Sequence, residues 1–73
     1  MDKQEGALRK FGRRLSQLRE ERGISIAELA SRTGLDPEEI TDIEAGETDV
    51  SITIIFRLAV GLGIPLAQLV GPL

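Results

Sequence analysis

The strongest constraint on this chain is its punctuation by glycine. Gly23, Gly34, Gly46 and Gly63 cut the sequence into segments of helical length, and three of the four are soon followed by a residue suited to starting a helix: Ser25, Asp36 and Pro65. Ser51 starts another segment, five residues after Gly46. Small polar residues accept hydrogen bonds from the free amides of a first turn, and glycine readily takes the left-handed conformation that closes a last one. Short helices with turns between them are therefore expected, rather than strands or one long coil.

The first segment, about Glu5 to Arg22, carries Leu8, Phe11, Leu15 and Leu18 at three- and four-residue intervals, which places them on one face. Arg9, Lys10, Arg13, Arg14 and Arg22 lie elsewhere around it. Ser25-Ile-Ala-Glu28 reads as a capping box, in which the Ser25 hydroxyl and the Glu28 carboxylate each satisfy an amide, with Leu29 and Ala30 as buried residues before Gly34. A helix of about two turns cannot persist alone and needs neighbours. In Asp36-Pro-Glu-Glu39, Asp36 suits the cap, Pro37 the first helical position and Glu39 the return partner; Ile40 and Ile43 point inward and Gly46 stops the helix.

The fourth segment, capped by Ser51 and ending near Leu62 before Gly63, is ambiguous. Val50, Ile52, Ile54 and Ile55 are β-branched, and Val50–Ile54 alternates like a strand. Helix is the expectation, because a lone strand has nothing to pair with and Ile54, Ile55, Leu58, Ala59 and Leu62 repeat at helical spacing. Pro65 then opens a short final helix with Leu66, Leu69 and Val70 as its apolar face. The fold class expected is all-α, a compact bundle of five short helices with a central pair of closely spaced ones. Residues 1–73 are read as one domain, with residues 1–5 as a loose tail.

Composition removes whole classes of function. Histidine, cysteine, tyrosine and tryptophan are absent, so the commonest general base, the thiol nucleophile and the usual nitrogen and sulfur metal ligands are missing. Glu38 and Asp42 stand one helical turn apart, but a solvated acidic face is the plainer account of them. Gly61-Leu-Gly63 lacks the spacing of a nucleotide loop. Neither an enzyme, a cofactor nor a metal is expected, nor a small-molecule effector, since there is no room for a separate sensing domain. Met1–Gly6 is polar, and Val50–Val70 is interrupted by Arg57, Gly61, Gly63 and Pro65. No secretory signal or membrane span is therefore expected, and a reducing cytoplasm is.

Ile24-Ser-Ile-Ala-Glu-Leu-Ala30, Gly34-Leu35, Ile40-Thr-Asp-Ile-Glu-Ala-Gly46 and Ser51–Ile64 together resemble the lambda-repressor-like, Cro-type helix-turn-helix family, over roughly Phe11 to Val70. The opening and the Leu62-Gly-Ile-Pro65 end are similar to its small stand-alone members, the restriction–modification controller proteins. The resemblance implies a transcriptional regulator acting on double-stranded DNA, probed by the third helix while the second crosses the backbone. Ser25–Thr33 would be the crossing helix and Asp36–Ala45 the recognition helix. It also implies an Arg19–Glu44 ion pair, and a homodimer joined through C-terminal helices, for which Leu66, Leu69 and Val70 are the interface candidates.

Several family contact positions hold unusual residues. Ile26 stands where a polar phosphate contact is usual, the recognition-helix positions fall on Pro37, Glu38, Glu39 and Asp42, and the following loop reads Glu47-Thr-Asp49. Residues 1–32 carry net +3 and residues 33–73 net −6. Phosphate contacts must then come from basic residues outside the third helix, with Arg13, Arg14 and Arg32 as candidates. The acid run keeps an alternative open: an interaction module whose third helix binds a basic protein or mimics DNA.

Overall fold

The computed structural model describes the backbone of residues 3–71 and the side chains of residues 6–71. Five helices follow in order: α1 (Lys3–Glu21), α2 (Ile26–Thr33), α3 (Pro37–Glu44), α4 (Ile52–Leu62) and α5 (Leu66–Val70). No strand occurs among the described residues, and the β-branched Ile52–Ile55 run is helical. α1 begins at Lys3, so part of the expected tail is helix; Met1 and Asp2 lie outside the described residues.

The caps act largely as their residue types require. Ser25 Oγ accepts from the Glu28 amide at 3.0 Å and Ser51 Oγ from the Ile54 amide at 3.2 Å. At α3 the Asp36 amide donates to Glu39 Oε1 at 3.2 Å, the return half of a capping box. The corresponding half at Ser25 is not formed. Glu28 instead binds Arg32 one turn on, with Arg32 Nη2 to Glu28 Oε2 at 2.7 Å, because an i,i+4 cation competes for the same carboxylate.

Helix stops double as core anchors. After α1 the Gly23 amide bonds the Glu20 carbonyl and the Ile24 amide bonds the Arg19 carbonyl; after α4, Gly63 and Ile64 repeat the arrangement on Val60 and Ala59. This paired closure turns the chain sharply enough to drive the next side chain inward. Ile24, Ile64 and Leu35, the residues after Gly23, Gly63 and Gly34, are all buried. The turn between α2 and α3 depends on Gly34 at φ +77°, a conformation that a Cβ disfavours.

One core joins the helices, centred on Leu15, Leu29, Ile40, Leu58 and Leu69, all fully buried. α1 packs on α3 and α5, α4 on α2 and α5, and α2 on α3. Leu69 is therefore withdrawn from the candidate dimer interface: it is 0% exposed inside a single chain. Leu66 is half-buried against the same core, and of the three candidates only Val70 is exposed. A five-residue helix must turn its bulkiest face inward to be held at all, which spends Leu69 on the core. Leu73 lies outside the described residues.

Candidate nucleic-acid interface

α2 and α3 are the two short helices joined through Gly34-Leu35, and their relative placement is fixed from beneath. Leu29, Leu35, Ile40 and Ile43 are buried under the pair. Thr33 is the buried polar residue there. Its hydroxyl donates to the Leu29 carbonyl at 2.8 Å and accepts from the Leu35 amide at 3.3 Å, so it satisfies a turn amide that water does not reach. Nothing in the sequence distinguished this threonine.

The recognition-helix candidates divide by what their side chains touch. Pro37 occupies the first helical position and is exposed. Glu39 is engaged with the Asp36 amide. Glu38, exposed, and Asp42, half-buried, lie one turn apart on the side of α3 away from Ile40 and Ile43, with Thr41 and Ala45 exposed beside them. Ile26 is partly buried against the core, which explains an aliphatic residue at the start of α2.

Below this surface α3 is tied to α1. Arg19 Nε and Nη2 donate to Glu44 Oε2 and Oε1 at 2.7 and 3.1 Å, and Arg19 Nη1 donates to the Ile24 carbonyl at 2.9 Å. Both side chains are 12% exposed. The paired carboxylate raises the Arg19 pKa above its ordinary value, outweighing desolvation. One of the seven acids of the 33–56 stretch is thus neutralised within the fold. α1 and α3 approach so closely that a Cβ at Gly12 would lie 2.8 Å from the Glu44 carbonyl carbon.

The three phosphate candidates do not form one patch. Arg13 is exposed on α1 and makes no hydrogen bond or ion pair among the described residues. Arg14 turns toward α5, where Nε donates to the Gln68 carbonyl at 2.7 Å. Arg32 joins α2 to α4, with Nη1 on the Gly61 carbonyl at 3.1 Å and Nη2 on Glu28. Arg14 and Arg32 are therefore tied into helix contacts, because each lies within reach of a carbonyl near a helix C-terminus. Arg32 is thereby taken up through both Nη groups, whereas Arg14 is engaged through Nε alone among the described residues.

Comparison with known proteins settles what this helix pair is. The helix-turn-helix family model matches residues 15–69, most of the chain and all of α2, α3 and α4. The chain belongs to the helix-turn-helix family. It is 33% identical over 58 residues to the HTH-type transcriptional regulator SutR of Escherichia coli K12, spanning 80% of this chain but only 33% of that protein. It is 28% identical over 61 residues to y4dJ of Sinorhizobium fredii, an HTH-type transcriptional regulator, covering 84% and 79% of the two chains. Among solved structures, the restriction-modification controller protein C.AhdI of Aeromonas hydrophila is similar with TM-score 0.83 and 40% identity, covering 85% of this chain and 94% of that one. The clp gene regulator ClgR of C. glutamicum shares the fold, with TM-score 0.83, 24% identity and coverage of 86% and 82%. No described helix is long and apolar enough to cross a membrane, and no described cluster of carboxylates could hold a metal.

A second surface escaped the sequence reading. Ile52, Phe56 and Val60 repeat every four residues along α4 and are 67%, 58% and 63% exposed. Their spacing was visible, but the stronger inward set Leu58, Ala59 and Leu62 masked it.

Proposed function

We propose that this chain is a DNA-binding transcriptional regulator that acts as a symmetric dimer, with α3 as the recognition helix. The observation that carries this reading is the division of labour on α3. Its inner residues and Glu44 lock the helix onto α1 and α2, while Glu38, Thr41 and Asp42 present an outer face whose side chains, among the described residues, have no internal duty beyond the Thr41 hydroxyl's bond to the Pro37 carbonyl. Family membership, and the regulators to which the chain is similar, favour this reading over an acidic interaction module.

Acids on a recognition helix disfavour phosphate but suit one edge in the major groove: a carboxylate accepts a hydrogen bond from cytosine N4. Glu38 and Asp42 are the residues for that contact, and Arg13, exposed and without a partner among the described residues, is the best-placed phosphate candidate. Cytoplasmic action without catalysis fits the absence of imidazole and thiol chemistry from the sequence.

The dimer reading rests on α4. Three large apolar side chains spaced at i, i+4 and i+8 form a continuous exposed stripe, and covering it against a second copy removes it from water on both. In helix-turn-helix dimers the two half-sites lie about 34–36 Å apart, one turn of B-DNA.

Selection of duplex sequences at low salt, followed by affinity measurement across a salt series, tests the reading. Binding should weaken with salt, and Arg13→Gln should reduce the slope of log K against log salt by about one. Glu38→Gln should relax preference at one base pair. Absence of duplex binding at micromolar protein in low salt would overturn the assignment.

A further inference from the structure

The edge of α1 that faces α5 carries a groove whose lining shares Arg13 with the proposed DNA contacts. α1 turns Gly12 and Arg9 toward the end of α3, but Lys10 and Arg14 toward α5. Along that seam lies a groove of about 480 Å³, lined by Phe11 and Val70 together with Lys10, Arg13 and Arg14. None of the described lining residues is acidic, although the chain as a whole carries a net charge of −3.

We infer that this groove binds a small anion carrying an apolar tail, with the anionic head on Lys10, Arg13 and Arg14 and the tail on Phe11 and Val70. Three observations converge. The volume falls in the range of about 300–1,000 Å³ typical of small-molecule sites, and apolar and cationic side chains line the groove side by side. The Arg14 guanidinium is held in place before any ligand arrives: Nε is fixed on the Gln68 carbonyl, leaving both Nη groups for a carboxylate or phosphate. Gly71 supplies the remaining space, since a Cβ there would lie 3.3 Å from Arg14 Nε and 3.5 Å from its central carbon.

A carboxylate and a phosphate ester share this chemistry. Both would bridge α1 and α5, which meet here through Arg14 and Gln68. The site does not depend on the DNA-binding assignment, and its test uses no DNA.

The full chain is titrated with octanoate and with octyl phosphate below their micelle-forming concentrations, using octan-1-ol and inorganic phosphate as controls. Amide chemical shifts in heteronuclear NMR spectra are the readout. Saturable binding of either tailed anion is expected, with the largest shifts at Phe11, Arg14, Val70 and Gly71. The tighter of the two identifies the preferred head group. Lys10→Gln, a solvent-exposed change, should weaken binding by about fivefold while leaving the spectrum of the free protein folded. The inference is overturned if neither tailed anion saturates, or if octan-1-ol or inorganic phosphate binds as well. Shifts centred on Ile52, Phe56 and Val60, or the same groove shifts appearing on concentration without ligand, overturn it too.

Discussion

Thr33 shows how much one hydroxyl carries when it sits beneath a tight turn. It donates to the Leu29 carbonyl and accepts from the Leu35 amide, both buried between α2 and α3. Thr33→Val keeps the shape but removes the acceptor, leaving the Leu35 amide without a partner. A loss of about 1–2 kcal/mol in urea-denaturation stability is expected, since an unsatisfied buried donor costs more than the net value of an ordinary hydrogen bond. An unchanged midpoint would mean that water reaches the turn. Arg19 teaches a related lesson. Its pairing with Glu44 was implied only by family resemblance, and the geometry adds what a sequence cannot carry: two bonds to the carboxylate and a third to the Ile24 carbonyl.

Among the elements, boundaries were largely legible because caps and stops are local chemistry. Ser25, Asp36-Pro37 and Ser51 mark the starts of α2, α3 and α4, and Gly23, Gly34 and Gly63 close three helices. Side-chain allegiance was less legible, because it depends on what arrives from elsewhere in the chain. Glu28 faced a choice between the Ser25 amide and Arg32, and Arg14 found a carbonyl 54 residues away. α4 is the clearest case. It is apolar nearly all round, so periodicity marked the inward set without showing that the remainder also forms a stripe. Close approach was equally hidden: Gly12 looks like a defect in an α1 otherwise suited to helix. Gly12→Ala should gain about 1 kcal/mol in helix propensity. It should lose more by forcing α1 off the end of α3, a net destabilisation of about 2 kcal/mol read from the thermal or urea midpoint. A stabilised variant would show that the two helices are free to separate.

At the scale of the whole molecule, the short chain has little interior, and its apolar residues must be shared between core and surface. The C-terminal sequence suggested that Leu66, Leu69 and Val70 would meet a partner; packing assigns Leu69 to the core and leaves Ile52, Phe56 and Val60 outside. Phe56→Glu should therefore convert a dimer to a monomer in sedimentation or light scattering while the helical signal remains. Leu69→Glu is the contrasting variant, expected to unfold the chain rather than report on assembly, because it places a charge in a fully buried site. A Phe56→Glu protein with unchanged mass would remove α4 from the interface.

The separation of duties on α3 bears on how such a chain can change over evolutionary time. Glu39 and Glu44 hold the helix in place, whereas among the described residues no side-chain partner holds Glu38 or Asp42. Substitutions at surface positions without structural partners usually alter stability by no more than about 0.5 kcal/mol. The two central positions of the outer face can thus drift through many side chains while the scaffold stays folded; with α3 as the proposed recognition helix, a new target sequence is separated from the present one by very few mutations.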